Sequence, residues 1–137
     1  MADNLTREQR SYMMSRVRSK NTKPELSIRR GLFACGLRFR IHDRRLAGCP
    51  DLVFVSARVV VFIDGDFWHG WRFSTWSHKL APYWREKIAK NRQRDACNFR
   101  KLRRSGWLVI RIWEHEIERS AETCVARIVT AVLAPRR

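Results

Sequence analysis

One stretch, residues 59–69 (VVVFIDGDFWH), most constrains what this chain can form. It begins with β-branched and aromatic residues, which is the composition of a buried strand. It then ends in Asp64, Asp66 and His69, with a glycine and two large aromatics between them. Core packing does not require such an ending. A rigid strand that ends in carboxylates and a histidine predicts a reaction site at its tip, and the aromatics beside it offer a surface for stacking a flat ligand.

The overall charge indicates a polyanionic partner. The chain has 29 Lys and Arg against 13 Asp and Glu, which gives a formal net charge of +16. A small domain this basic repels itself and attracts polyanions, and nucleic acid is the expected partner because cationic side chains displace counterions from phosphates. A ribosome-associated or merely basic protein is the alternative. A membrane surface is disfavoured because no amphipathic basic helix stands apart.

The length and hydropathy of the chain favour one domain. With 137 residues and 45% hydrophobic residues, the chain is large enough for a real core and is not of disordered type. The N-terminus lacks the apolar region of a signal peptide, and no apolar run approaches the length of a membrane span. We therefore expect a cytoplasmic protein associated with the nucleoid.

Local patterns predict an α/β fold in which a mixed sheet is flanked by helices. Thr22 and Glu25 form a capping-box pattern at the start of a helix that ends at Gly36. A half-exposed strand is predicted at 37–42. The remaining predicted elements are strands at 52–55 and 59–64, a loop at 70–82, a helix from Pro82 to about Ser105, a strand at 107–113 and a final helix capped by Ser120.

A pair of carboxylates suggests the chemistry. The tight connection at 56–58 predicts an antiparallel hairpin, which brings Asp51 at its start close to Asp64 at its end. Phosphodiester hydrolysis requires neutralised phosphate charge and an activated water, and carboxylates that converge on Mg²⁺ supply both. The arrangement resembles the PD-(D/E)xK nuclease core, although Asp66 stands where that core has lysine. Two unrelated structural aspartates would explain the bare pair equally well.

Further motifs, in order along almost the whole chain, resemble the very short patch repair (Vsr) endonucleases. They are RSKNTKPE at 18–25, GLxFR at 36–40, GxPD at 48–51, DGxFWH at 64–69, YWxxKIxxNxxRD at 83–95 and GWxVxRxWE at 106–114. The resemblance implies a Mg²⁺-dependent endonuclease that nicks one strand of double-stranded DNA beside a T·G mismatch, the product of 5-methylcytosine deamination. It also implies repair-pathway proteins as further partners.

The resemblance implies a role for individual residues. Asp51 matches an acid that binds Mg²⁺, and the backbone carbonyl of Ile63 matches a further metal contact. His69 matches the histidine that activates the attacking water, a role suited to its near-neutral pKa. Glu25 matches an acid near that histidine, although capping its helix would also explain it. Asp64 occupies a position that is histidine in some members and aspartate in others, and as aspartate it is better suited to binding metal.

The resemblance also implies DNA contacts. Met14, Phe67 and Trp68 match apolar residues that wedge into the DNA stack beside the mismatch, where unstacking costs least. Ordinary core packing is the alternative for the two aromatics. Residues 1–21 are expected to be a basic DNA-contacting segment, and 22–137 a single endonuclease domain. Three residues of the long predicted helix are further candidates for DNA binding: Lys87, Asn91 and Arg94.

The chain departs from the family at one place. Members often hold a structural zinc with cysteines and histidines at positions that here are Asp66, Trp71, Phe73 and His115. No thiolate site can form from these residues. We expect an apolar cluster of Trp71, Phe73 and Trp76 in place of the metal. The change leaves open a nickase or restriction-type enzyme with another sequence or modification preference, or, in a different class, a catalytically silent DNA-binding module.

The expected outcome of metal analysis is a chelator-washed protein that carries no stoichiometric zinc. Elemental analysis of the washed, folded protein measures this directly. One zinc per chain would contradict the assignment of positions 66, 71, 73 and 115.

Overall fold

The computed structural model describes residues 21–135 and shows a mixed α/β fold, as predicted. Its elements in chain order are α1 (Lys23–Ala34), β1 (Arg40–Ile41), β2 (Leu52–Phe54), β3 (Val59–Asp64), α2 (Phe73–Trp76), a 3-10 turn (Ser77–Lys79), α3 (Pro82–Arg104), β4 (Leu108–Trp113) and α4 (Glu114–Leu133). Met14 and the rest of the predicted N-terminal segment up to residue 20 lie outside the described residues. Within 21–135, no helix has the length and apolar character needed to cross a membrane.

The four strands form one sheet in the order β1-β2-β3-β4. β1, β2 and β3 pair antiparallel, while β3 and β4 pair parallel. In the β2–β3 hairpin Leu52 lies opposite Val61, so Asp51 lies beside the last residues of β3. The predicted convergence of Asp51 and Asp64 at one end of this hairpin is therefore confirmed.

Alternation along β3 decides which side chain faces which layer. Val59 and Val61 pack in the core formed with α1 and α4, while Val60 and Phe62 pack against α3. Because successive side chains point to opposite faces of a sheet, Asp64 shares the α3 face with Val60 and Phe62. The strand thus delivers its terminal carboxylate to the layer that contains α3.

The long helix α3 is bounded as predicted, by Pro82 in its first turn and by Gly106, whose φ is +90°, just beyond its end. Its apolar stripe carries two polar residues. Asn91 donates from Nδ2 to the carbonyl of Trp68 (2.9 Å), and the buried Asp95 accepts hydrogen bonds at the sheet end. Both polar side chains on the stripe therefore have partners, as buried polar groups require.

Two boundaries differ from the prediction. The strand predicted at 37–42 is reduced to Arg40–Ile41, with residues 37–39 outside it, and it ends before His42, which adopts a left-handed φ of +46°. The last helix begins at Glu114, and Ser120 lies at a kink within it, where its Oγ accepts the N–H of Thr123 (3.2 Å). Ser120 is thus a cap, as predicted, but the helix has additional residues before it.

The predicted loop also contains regular structure. Residues 70–82 include α2 and the 3-10 turn. Gly70 precedes α2 with a φ of +70°, and a Cβ placed there would lie 2.6 Å from Cδ of Arg92 and 2.9 Å from Cγ2 of Ile88. The backbone that follows His69 therefore packs directly on α3, where any side chain at residue 70 would collide.

We expect Gly70→Ala to lower the free energy of unfolding by about 2–4 kcal/mol, since it adds overpacking to the cost of a left-handed backbone. Gly36→Ala is the matched control. It also has a positive φ (+82°) but has no atom within 4 Å of the added Cβ, so about 1 kcal/mol is expected. Urea unfolding of both variants measures the difference. Equal losses would contradict the close approach of Gly70 to α3.

Candidate active site

Several segments deliver side chains to the end of β3 and enclose two clefts there. The first cleft, of about 470 Å³, is lined by Glu25 from α1, by Ile63 and Asp64 from β3, and by Trp68 and His69 from the loop that follows. The second, of about 760 Å³, shares Ile63, Asp64 and His69 with the first. Its remaining walls include two acids and three arginines, namely Asp51, Asp95, Arg44, Arg45 and Arg94.

His69 is held between two carboxylates. Its Nδ1 lies 2.7 Å from Oδ2 of Asp95, and its Nε2 lies 3.5 Å from Oδ1 of Asp64. Since an ionised carboxylate only accepts hydrogen bonds, a ring with a single proton carries it on Nδ1. Nε2 is then the basic nitrogen, and it faces the end of β3 where the two clefts meet.

Arg111 of β4 joins the same two acids. It donates from Nε to Oδ2 of Asp64 (2.8 Å) and from Nη2 to Oδ2 of Asp95 (2.8 Å). Asp64 and Asp95 are 5% and 8% exposed, so each is a buried acid that requires a cationic or hydrogen-bonding partner. Arg111 and His69 together satisfy this requirement.

A second cluster surrounds Asp51. Its Oδ2 accepts the N–H of Ile63 (2.6 Å), and its Oδ1 lies 3.9 Å from Nε2 of His42. The same His42 nitrogen lies 2.9 Å from Oε2 of Glu25, which also accepts from Nη2 of Arg29. One Asp51 oxygen is therefore held by the backbone of β3, while the carboxylate also faces that of Glu25. Within the described residues no arginine pairs with Asp51, so the facing acids can accept a cation.

Glu25 does more than cap its helix. Oγ1 of Thr22 accepts the N–H of Glu25 (3.4 Å), which is half of the predicted capping box. The other half is absent, because Oε2 of Glu25 accepts the N–H of Asn21 (3.0 Å) instead of that of Thr22. The glutamate is 2% exposed and is also bonded to His42 and Arg29. Capping alone therefore does not explain it, although the histidine that it contacts is His42 and not His69.

The acids at this end of the sheet are expensive to ionise. Burial raises the pKa of Asp51 to about 8, with further increases from Glu25 and Asp64 and an opposing effect of the Ile63 N–H. Burial likewise raises the pKa of Asp64, against the lowering effects of His69 and Arg111. Carboxylates in this condition favour a bound cation, which replaces the proton.

The donors at this site fit Mg²⁺. Two groups of side chains each bring three ligand atoms within 4.8 Å of one another: Glu25, His42 and Asp51, and Asp64, His69 and Asp95. Oxygens of carboxylates and backbone carbonyls are the ligands that Mg²⁺ prefers. Ile63, whose carbonyl is a predicted ligand, lines both clefts. The predicted ligands Asp51 and Asp64 therefore share a cleft but belong to different groups.

The predicted wedge residues lie beside the first cleft, within an aromatic cluster. Phe67 and Trp68 are both half-buried and contact each other edge to face, with ring centroids 5.0 Å apart. Phe67 stacks on Trp76 (5.7 Å), and Trp68 contacts Trp84 (5.4 Å). Each ring is thus supported from behind by other aromatics and keeps part of its surface exposed.

The three candidates on α3 differ in their surroundings. Asn91 uses one N–H of its amide to hold the carbonyl of Trp68. Lys87 is half-buried, and Arg94 is exposed and lines the second cleft together with Asp51 and Asp64. Of the three, Arg94 is therefore placed nearest to the acids.

Comparison with known proteins identifies the family of the chain. The family model described as DNA mismatch endonuclease Vsr matches residues 2–75. The chain belongs to the Vsr family. Type II nicking enzyme V.XorIIP of Xanthomonas oryzae pv. oryzae is 44% identical over 119 residues, which cover 85% of this chain and 88% of the relative. DNA mismatch endonuclease Vsr of Escherichia coli K12 is 35% identical over 118 residues, which cover 83% and 74%.

A further relative extends the comparison. Type II nicking enzyme V.NmeAIP of Neisseria meningitidis serogroup A is 40% identical over 124 residues, which cover 88% of each chain. Family membership together with these relatives makes this Vsr-family protein a DNA endonuclease, and DNA is its substrate.

At the positions where Vsr-family members often hold zinc, the structure shows two separate arrangements. Asp66 Oδ1 lies 2.7 Å from Nδ1 of His115, and the ring of Trp71 packs on His115 at 4.1 Å. Phe73 instead contacts Trp76 (5.3 Å) within the aromatic cluster. The predicted cluster is therefore confirmed for Phe73 and Trp76 and wrong for Trp71, whose ring packs on His115 while its carbonyl accepts the Nε1–H of Trp76 (2.9 Å). The absence of zinc stays a prediction.

Sequence reasoning missed three residues of this Vsr-family site. His42 gave no signal, because nothing in the strand pattern indicates the turn that brings it to Glu25. Asp95 gave a signal, because a carboxylate on the apolar stripe of α3 requires a partner. Arg111 gave one too, as a single charge within the apolar run of β4.

The raised pKa of Asp51 predicts a pH dependence for the stability of the chelator-treated protein. Between the ordinary pKa of an aspartate and about 8, the folded state binds more protons at Asp51 than the unfolded state, so its contribution to stability is lost as the pH rises. Asp51→Asn removes this loss. We expect the Tm of the variant minus that of wild type to increase from pH 5 to pH 8, and Mg²⁺ to raise the wild-type Tm more at pH 8. A Tm difference that is constant across this range would contradict the assignment.

Proposed function

We propose that this Vsr-family protein is a Mg²⁺-dependent endonuclease that nicks one strand of double-stranded DNA beside a T·G mismatch produced by deamination of 5-methylcytosine. The observation that carries the proposal is the convergence of Asp51, Asp64 and His69 at the end of β3, next to the half-buried pair Phe67 and Trp68. This arrangement combines the groups needed to cleave a phosphodiester with apolar rings suited to an opened base stack.

Asp51, Asp64 and the carbonyl of Ile63 would hold Mg²⁺, with Glu25 as a further acid beside them. When bound, Mg²⁺ neutralises charge on the scissile phosphate and lowers the pKa of coordinated water. The N–H of Ile63 fixes one oxygen of Asp51 and so directs the other into the cleft. Each acid that faces this cleft is thereby kept in a single orientation.

His69 would take the proton from the attacking water. Its Nδ1 is held by Asp95 at 2.7 Å, which leaves Nε2 as the acceptor at the junction of the two clefts. A histidine positioned in this way can act as a general base. Orientation by Asp95 ensures that the ring presents the same nitrogen in every turnover.

Mismatch selectivity would come from the energy required to open the stack. Phe67, Trp68 and Met14 would insert beside the mismatch. Unstacking typically costs a few kcal/mol, and it costs least where the bases are already mismatched. Lys87, Asn91 and Arg94 would contact the DNA from α3. The segment 1–21 would add basic contacts to the single domain at 22–137, and the protein would act on the nucleoid together with repair-pathway proteins.

A second candidate is a nickase with another sequence or modification preference. It is favoured by the names of two relatives, V.XorIIP and V.NmeAIP, which are called Type II nicking enzymes. One of the altered zinc positions, Phe73, also lies within the aromatic cluster. A panel of mismatched and methylated duplexes distinguishes the two candidates by which duplex is nicked fastest.

The main test is nicking of paired duplexes that differ only in T·G or C·G at one position, with Mg²⁺ or with EDTA. We expect Mg²⁺-dependent cleavage of one strand of the T·G duplex alone. Equal cleavage of both duplexes would retain the endonuclease but overturn mismatch specificity.

Asp51→Ala is expected to abolish nicking while mismatch binding survives, because the variant loses a metal ligand and retains the DNA-contacting residues. Nicking is measured on the T·G duplex, and binding on the same duplex in EDTA. Cleavage by this variant at the wild-type rate would refute the assigned metal site.

A further inference from the structure

We propose that Arg111 is a positioning residue of the nicking reaction, because it fixes the two carboxylates between which His69 is held. The inference rests on the proposed role of His69 in activating water. Arg111 makes no described hydrogen bond to His69 or to the Asp51 cluster. It acts through Asp64 and Asp95.

The contacts form a closed ring. From Arg111, Nε reaches Oδ2 of Asp64 and Nη2 reaches Oδ2 of Asp95, each at 2.8 Å. On the other side, Oδ1 of Asp64 lies 3.5 Å from Nε2 of His69, and Oδ2 of Asp95 lies 2.7 Å from its Nδ1. Any movement of one acid is therefore transmitted to the imidazole. On the side opposite the imidazole, the guanidinium of Arg111 holds both acids.

An arginine is suited to this position by its shape. The guanidinium is planar and offers several N–H groups in a fixed fork, whereas a lysine offers a single compact charge. Here the fork spans two carboxylates from different elements, Asp64 at the end of β3 and Asp95 in the middle of α3. A lysine at residue 111 would be expected to reach one of them well and the other poorly.

The guanidinium is itself held in place. Its central carbon lies 4.2 Å from the ring centre of Trp113 and 5.1 Å from that of Phe99, and the side chain is 24% exposed. Along β4 Arg111 pairs in register with Phe62, so it shares the face on which Asp64 lies two residues further along β3. The clamp is therefore built on strands and aromatic rings and does not depend on a loop.

Without Arg111, Asp64 would lose the contact that draws its Oδ2 away from His69. The carboxylate could then rotate toward Nε2, the nitrogen that must face the attacking water. Asp95 would also keep only one of its two described cationic contacts, the one to His69. Loss of Arg111 should thus impair the chemical step and leave the DNA-contacting surface unchanged.

The experiment measures single-turnover nicking of the T·G duplex at saturating Mg²⁺, as a function of enzyme concentration. We expect Arg111→Met to lower the maximal rate constant about 100-fold, the scale set by misplacing a catalytic group by about 1 Å, and to change the half-saturating concentration less than about 3-fold. Arg111→Lys should recover part of the rate and remain about 10-fold below wild type, because one carboxylate stays imperfectly held.

Arg58→Met is the matched control. Its guanidinium also lies 4.2 Å from a tryptophan ring, that of Trp107, and donates to the carbonyl of Ser105 (2.7 Å), but it contacts no carboxylate in the described part of the chain. We expect this variant to nick within about 2-fold of wild type. Maximal rates of Arg111→Met and Arg58→Met that are equally close to wild type would overturn the proposal.

The variants His69→Ala and Arg111→Lys distinguish a failure of the clamp from a failure of the proposed role of His69. Nicking by His69→Ala at the wild-type rate would refute the role of His69 itself. An inactive His69→Ala combined with a fully active Arg111→Lys would retain that role and overturn the two-carboxylate clamp. If Arg111→Met does not fold, as judged by circular dichroism, the Arg111→Lys result decides alone: wild-type activity refutes the clamp, and a loss confined to the maximal rate supports it.

Discussion

The burial of acids at one end of the sheet is the constraint on which the rest of the structure depends. Glu25, Asp64 and Asp95 are each less than a tenth exposed, and a buried carboxylate without a partner would destabilise the fold by several kcal/mol. Each of the three contacts an arginine within the described residues. Asp51 contacts a backbone N–H and a more distant histidine instead, and this difference makes it the acid with capacity left for a cation.

Much of this arrangement follows from local sequence. The hairpin and the long helix α3 were predicted because alternation, a short turn and the Pro82 and Gly106 boundaries are signals that a few neighbouring residues encode. The positions of Asp51, Asp64 and His69 were predicted from the same hairpin, since antiparallel pairing brings its first and last residues together. These parts of the site required no knowledge of distant contacts.

The remaining parts depend on tertiary contacts. His42 reaches Glu25 only because its backbone adopts a positive φ, which an alternating strand pattern does not encode. The partners of Arg111 come from β3 and α3, and no periodicity specifies which carboxylates a lone strand arginine will meet. At the altered zinc positions, composition predicted aromatic packing. It did not predict the contact of Asp66 with His115, the residue on which the ring of Trp71 packs.

The hydrogen bond from Asn91 to the carbonyl of Trp68 has a consequence for how the aromatic pair could meet DNA. It anchors the main chain of residue 68 and leaves the indole ring supported by other rings, Phe67 and Trp84. An indole that turns toward a base would exchange one flat neighbour for another while its backbone stays where it is. Such an exchange would conserve most of the dispersion energy of the indole. The ring of Trp68 could then reorient while the main chain of the residue stays fixed.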